Sequence, residues 1–288
     1  MALTDFVAPE SAEAAAKALA AGGPSARALS GGTDLIVQLR AGRVKPALIV
    51  DLKRIPGSIG IRRDAEGFVI GAATPGAMLG EDEALATAWP GVVEAATLIG
   101  STQVQGRASL GGNLCNASPA ADSVPALVAA RARCVIVGPD GRREAAVAEI
   151  PIGPGRTSLR PGEFVLEIRL PPQGARAADA YLRSIPRTEM DIAIVGAGAW
   201  LALAPDGTIA DGRVALGAVA PTVVLADAAS IIGSRLDEPA LARLDAAARA
   251  VCAPIADKRG TIDYRTKIAG VLARRAAAIA YERARNKA

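Results

Sequence analysis

The 288-residue chain is rich in Ala, Gly and Val, carries a formal charge of +4 and contains no histidine. The missing histidine removes the usual general base and the commonest transition-metal ligand, and with them Ser-His-Asp or Cys-His catalysis and any histidyl-linked flavin. Basic residues are scattered, clustering no more tightly than pairs such as Lys53-Arg54, and aromatic residues make up 3% of the chain, so the chain lacks the basic stripe and stacking platforms of a nucleic-acid binder.

In chain order, residues 11–21 predict an Ala-rich helix stopped by Gly22-Gly23. Residues 27–30 read as a short strand, Gly31-Gly32-Thr33 as a tight loop, 34–40 as a helix and 48–52 as a second, buried strand. The first segment is therefore α-β-α-β. A second segment opens at Pro56. Residues 68–72 predict a strand, and Thr74-Pro75 a helix start with Thr as N-cap and Pro at the first helical position. Residues 90–99 predict another helix. The stretch 101–121 has no periodicity and is dense in Gly, Ser and Asn; a loop of roughly 20 residues inside a compact domain is usually functional or disordered. Residues 123–131 read as a helix. Residues 134–137 and 144–147 flank the turn Pro139-Asp140-Gly141, and 164–170 predict a strand after Pro161-Gly162.

Pro171-Pro172-Gln173-Gly174 marks a domain boundary. Beyond it, 181–185, 192–203 and 213–219 read as three strands, and 223–232, 238–251 and 264–285 as three helices. The longest apolar stretch, 192–204, is interrupted by Gly196 and Gly198 and is shorter than the ~20 residues that span a bilayer. Residues 1–10 carry no export signal, so the expected site is the cytoplasm. The three cysteines, Cys115, Cys134 and Cys252, lie far apart and cannot supply the four ligands of an ordinary iron–sulfur cluster. Cys115 reads as a small buried filler. With no metal site and no catalytic residue in prospect, redox chemistry here points to a bound organic cofactor.

Two glycine pairs carry the chemistry. Ser30-Gly31-Gly32-Thr33-Asp34-Leu35 lies between a strand and a helix, and Ser109-Leu110-Gly111-Gly112-Asn113 lies inside the aperiodic stretch. Glycine lets main-chain N–H groups approach an anion closely, so two such loops can clamp a pyrophosphate from opposite sides. A third glycine motif, Gly196-Ala197-Gly198, imitates a dinucleotide fingerprint, but Leu201 stands where the third glycine belongs and the segment continues as a strand.

The first loop resembles the first FAD loop of the molybdenum hydroxylase flavoproteins. That family includes the medium subunit of carbon monoxide dehydrogenase and the FAD domain of xanthine dehydrogenase. The run from Gln103-Val104 through Ser109-Leu110-Gly111-Gly112-Asn113-Leu114 to Ser118-Pro119-Ala120-Ala121-Asp122-Ser123 resembles the second loop and the helix after it. Pro186-Arg187-Thr188-Glu189-Met190-Asp191-Ile192-Ala193 and Asp263-Tyr264-Arg265-Thr266-Lys267-Ile268 resemble segments of the C-terminal domain. The likeness is ordered along nearly the whole chain. Some relatives carry a cysteine-rich insertion that holds an extra cluster, and this chain has none.

The resemblance implies an α+β fold. Residues 1–174 would form a two-lobed FAD-binding domain of the vanillyl-alcohol-oxidase (PCMH) type, with lobes of about 1–55 and 56–174. Residues 175–288 would form a smaller C-terminal domain with a three-stranded antiparallel sheet and helices. It implies non-covalent FAD held by Ser30, Gly31, Gly32, Thr33, Asp34 and Leu35 on one side and Ser109, Leu110, Gly111, Gly112 and Asn113 on the other, through main-chain N–H groups and the Thr33 and Ser109 hydroxyls. Asp122 would accept a hydrogen bond from the sugar-like chain, Val165 would lie beside the cofactor, Arg183 near the flavin, and Ile192 where the C-terminal domain covers the ring. It further implies a large molybdopterin subunit and a small [2Fe–2S] subunit as partners, in a dimer of heterotrimers, with electrons leaving to NAD, a quinone or another acceptor. Two other readings stay open: a self-sufficient flavin oxidoreductase of the same fold, and a flavin-binding scaffold without turnover.

Overall fold

The computed structural model describes residues 4–287; the outermost ends of the two expected domains, 1–3 and 288, lie outside it. The first lobe runs β1 (Asp5–Val7), α1 (Ala12–Gly22), β2 (Ala26–Leu29), α2 (Leu35–Arg40) and β3 (Leu48–Asp51). The strands make a parallel sheet in the order β1-β3-β2, and parallel neighbours require helical crossovers. The Ser11 side chain caps α1 by accepting from Ala14 N–H, and Ala12, Ala15, Ala16 and Leu19 form its buried face. Gly23, at φ +53°, ends it. By contrast α2 buries none of its residues, and Ile36 and Val37 are 43% and 63% exposed. β1 leaves no local signature, because three exposed residues are too few to show alternation.

The second lobe holds β4 (Ile61–Asp64), β5 (Gly67–Gly71), helices α3 (Gly76–Glu81), α4 (Glu83–Ala88), α5 (Pro90–Thr97), α6 (Thr102–Gln105), α7 (Leu110–Cys115) and α8 (Ser123–Ala129), and strands β6 (Arg133–Gly138), β7 (Gly141–Ala146), β8 (Pro151–Gly153), β9 (Arg156–Thr157) and β10 (Phe164–Leu170). Its main sheet is antiparallel, in the order β4-β5-β10-β6-β7. The central strand β10 is buried at every position but Arg169. Two expectations change here. The stretch 101–121 is not one loop: it contains α6 and α7, whose periodicity is hidden by their shortness and by Gly111 and Gly112. Thr74 does not cap α3. Its hydroxyl accepts from Gly60 N–H and donates to Gly60 C=O, and Pro75 takes the cap position.

The C-terminal region comprises β11 (Ala177–Ser184), β12 (Val195–Leu203), β13 (Ile209–Gly217), β14 (Val224–Ala226), α9 (Glu238–Ala250) and α10 (Ile262–Asn286). Its antiparallel sheet has four strands, in sequence order, and not three. The extra strand comes from 223–232, read from the sequence as a helix. There Val224 and Leu225 pair with Leu216 and Ala215, and Asp227 then caps a short 3-10 turn by accepting from Ala229 N–H. Alternate residues of β12 face opposite ways. Ala197, Ala199 and Leu201 meet the alanine stripe of α10 (Ala269, Ala273, Ala276, Ala280).

Gly198 faces the other way, onto α8. A Cβ there would lie 2.6 Å from the Pro125 carbonyl oxygen, and one on Gly91 would lie 2.7 Å from Ala180 N. Glycine at both positions lets α5 and α8 rest directly on the C-terminal sheet. Polar groups cross the same seam. Glu94 accepts from Tyr181 N–H and pairs with Arg283, and buried Asp179 accepts from Val92 N–H at 3.0 Å. Burial pushes the Asp179 carboxyl from the ordinary 3.8 up to about 7, although the Gly91 and Val92 N–H groups oppose the rise. A carboxyl with a higher pKa folded than unfolded takes up a proton on folding between the two values, so its contribution to stability falls as pH rises from about 4 to about 7. Asp179→Asn removes that titration. The urea midpoint of the variant should therefore drop less than the parent's between about pH 5 and about pH 8; parallel pH profiles would show that Asp179 ionises freely.

Candidate functional site

Where the two lobes meet, the chain forms a cavity of about 390 Å³, within the size range of small-molecule pockets, ~300–1,000 Å³. Ser30 to Leu35 line one side and Ser109, Gly111, Gly112 and Asn113 the other, with Ala72 and Val165 among the apolar lining.

The first loop leaves β2 and turns at Gly32, whose φ of +80° favours glycine. Gly31 lies against the chain that leads into the second loop: a Cβ there would sit 1.9 Å from the Arg107 carbonyl oxygen. Among the described residues, the main-chain N–H groups of Gly31, Gly32, Thr33, Asp34 and Leu35 donate to no protein acceptor. Five consecutive free donors at a cavity wall form an anion-binding concavity.

The second loop is built differently. Ser109 caps α7 by accepting from Gly112 N–H at 3.2 Å, Gly111 N–H goes to Ala72 C=O and Asn113 N–H to Ser109 C=O. These three donors are spent inside the chain, while those of Ser109 and Leu110 find no acceptor among the described residues, so the second loop offers fewer free main-chain N–H groups than the first. The second side presents the Ser109 hydroxyl and the Asn113 side chain, whose Oδ1 accepts from Ser123 Oγ at 2.7 Å. A hydrogen bond of 2.7 Å between Ser30 Oγ and Ser109 Oγ ties the two loops together.

Four expected residues lie off this cavity. Leu110 is buried in the core behind it, and Ile192 is 51% exposed on the C-terminal region. Asp122 and Arg183 are brought together, not onto the cavity but onto each other, at 2.8 Å. Asp122 also accepts from the Tyr181 hydroxyl at 3.0 Å. Burial raises the Asp122 carboxyl, and the Arg183 charge and the two hydrogen bonds oppose that rise. The group is joined to the cavity through Ser123 and Asn113. Cys115 does line the cavity, and burial pushes its thiol up to about 12, so it stays protonated and inert at neutral pH. Gly196-Ala197-Gly198 lies within β12 and serves packing.

Two functional candidates were missed. Tyr181 shares a strand face with Arg183, an i, i+2 relation visible in the sequence only once the strand is known. Lys53 donates to Ser30 C=O at 3.0 Å and pairs with Asp51 at 2.7 Å; no local signal links it to a loop more than 20 residues earlier. Among the described residues no group of three or more His, Cys, Asp or Glu side chains is placed to hold a metal ion, and no helix is long and apolar enough to cross a membrane.

The residues present fit FAD: free N–H groups face one wall, the Cβ-free Gly31 permits the close approach of the loops, and Val165 offers an apolar surface. Residues 2–173 match the family described as the FAD binding domain in molybdopterin dehydrogenase, and residues 180–280 match the CO dehydrogenase flavoprotein C-terminal domain. The chain is 34% identical over 285 residues to the carbon monoxide dehydrogenase medium chain of Afipia carboxidovorans, covering 98% of both chains. It is 32% identical over 208 residues to the xanthine dehydrogenase FAD-binding subunit of Escherichia coli O157:H7, covering 72% of this chain and 71% of that one. The solved structure of reconstituted CO dehydrogenase from Oligotropha carboxidovorans contains a chain that superposes with a TM-score of 0.93 at 33% identity, over 98% of both chains.

Proposed function

The chain belongs to the FAD-binding medium-subunit family of the carbon monoxide dehydrogenase and xanthine dehydrogenase type, and from that premise we propose that it is the electron-transfer flavoprotein of a molybdopterin-dependent hydroxylase. Its small partner subunit carries the [2Fe–2S] clusters that deliver electrons, and its large partner carries the molybdopterin at which substrate is oxidised. NAD, a quinone or another acceptor receives the electrons. The complex is a dimer of heterotrimers and works in the cytoplasm. The FAD-binding domain spans 1–174 and the C-terminal domain 175–288.

The observation that carries this reading is the row of five unpartnered N–H groups facing the cavity. Bound FAD supplies the redox couple, and the protein supplies position and electrostatics. The N–H groups from Gly31 to Leu35 hold the pyrophosphate, with the Thr33 and Ser109 hydroxyls and the Asn113 amide beside it. Gly111 and Gly112 let α7 approach closely. Leu110 anchors that helix in the core. Val165 gives the cofactor an apolar wall. Asp122, Arg183 and Ile192 lie off the cavity walls and would meet the cofactor only where it extends beyond them, Asp122 toward the ribityl chain and Arg183 and Ile192 toward the ring.

The test is visible spectroscopy on the purified chain and on the three-subunit complex. The chain should retain a flavin band, and the substrate of the complex should bleach it only when the cluster subunit is present. Turnover of an aldehyde or purine by the isolated, FAD-loaded chain would make it a self-sufficient oxidoreductase. A flavin that stays oxidised in the working complex would make it a scaffold.

A further inference from the structure

We propose that Lys53 is a positioning residue that strengthens the anion site from behind, acting through the Ser30–Gly31 peptide. The inference rests on reading the cavity as a dinucleotide site. Lys53 stands two residues past the end of β3, whose last residue, Asp51, is in register with Leu29 of β2. Leu52 N–H donates to Leu29 C=O, which brings position 53 behind the start of the first loop. There the Lys53 ammonium meets Ser30 C=O at 3.0 Å and Asp51 Oδ1 at 2.7 Å. The Lys53 N–H also donates to Asp51 Oδ1, at 3.0 Å, which fixes the side chain's origin. The ammonium does not line the cavity and its side chain is 25% exposed.

The carbonyl of Ser30 and the N–H of Gly31 are two ends of one planar peptide unit. A cation on the oxygen draws electron density from the nitrogen, and chains of hydrogen bonds polarise one another in this way. Gly31 N–H is the first of the five donors that lack a partner among the described residues. Lys53 therefore delivers part of its charge to a bound pyrophosphate without occupying the cavity. It also steadies Ser30, whose hydroxyl ties the first loop to Ser109. Asp51 holds the ammonium in place.

The experiment is FAD titration of the full-length chain and its variants at about 0.05 M and about 0.5 M salt, with the thermal midpoint of the FAD-free protein measured alongside. Lys53→Met should weaken FAD binding about tenfold at low salt, and less at high salt, with the FAD-free midpoint little changed. Lys53→Gln keeps a donor for Ser30 but no charge and should behave like Lys53→Met, which separates charge from hydrogen bonding and provides a second variant should Met disturb folding. Lys53→Arg should restore most of the affinity. If the parent chain binds FAD and both neutral variants bind it equally well, the role of Lys53 is overturned and the cavity reading stands. Losses that are equal at both salt concentrations, or that follow the thermal midpoint, would make Lys53 merely structural and also overturn it. If the parent chain binds no FAD, the cavity reading itself fails and takes the Lys53 role with it.

Discussion

Gly31→Ala leaves a folded chain that no longer retains FAD. The added Cβ would stand 1.9 Å from the Arg107 carbonyl oxygen and 2.6 Å from its carbon. Both are main-chain atoms, so no side-chain rotation relieves the contact, and the two loops must separate. Separation breaks the link of 2.7 Å between Ser30 and Ser109 and displaces the first loop, which carries the five free N–H groups. Overpacking of this kind costs about 1–3 kcal/mol even where neighbours can yield, and here it falls on the ligand geometry. An affinity loss of about a hundredfold or more is expected. Gly112 is the control. A Cβ there meets side-chain atoms, Ser109 Oγ at 3.1 Å, Ser30 Cβ at 3.8 Å and Ser30 Oγ at 4.0 Å, so Gly112→Ala should lose far less, while the branched Gly112→Val fills the gap between the loops and should lose FAD as well. Flavin-to-protein ratio after gel filtration measures retention, and circular dichroism reports the fold. Stoichiometric flavin in folded Gly31→Ala would show that the pyrophosphate lies elsewhere.

Asp122→Ala should give the largest loss of stability among single substitutions at the site. It strands the Arg183 guanidinium, only 6% exposed, and leaves the Tyr181 hydroxyl without its acceptor. Removing one member of a buried ion pair costs about 3–5 kcal/mol, whereas replacing both with apolar groups can be nearly neutral. The double variant Asp122→Ala with Arg183→Met should accordingly recover much of the loss, read as the urea midpoint at constant slope. FAD binding need not recover with it, because the acceptor proposed for the ribityl chain is gone. A single-variant loss below about 1 kcal/mol would place the pair in contact with water, as surface pairs are.

Elements with a strong local signature were legible in the sequence. The strand β10, the hairpin of β6 and β7, and the helices α1, α9 and α10 fall within a few residues of their predicted ranges. What escaped is specified at a distance. β14 forms because β13 offers it an edge, and nothing in residues 223–232 alone distinguishes that outcome from a helix. The first glycine loop was readable in residues, and its free donors support the role proposed for it. The second was readable as residues only, because where its N–H groups point depends on Ala72, nearly 40 residues earlier. Tyr181 and Lys53 were invisible for the same reason: each acts on an atom of another element.

The glycine seam bears on modularity. The two domains match separate families and invite exchange between relatives, yet their boundary in space is not their boundary in sequence. Gly91 and Gly198 lie in different domains, and each yields to main chain of the other. A chimera joined near Gly174 would inherit one half of this fit from each parent. Unless both bring glycine at these places, with a helix following the path of α8 at Pro125, the sheet cannot seat. A graft point chosen by sequence similarity alone would therefore cut through a single mechanical part, and the transferable unit is the C-terminal sheet together with the helices α5 and α8 on which it sits.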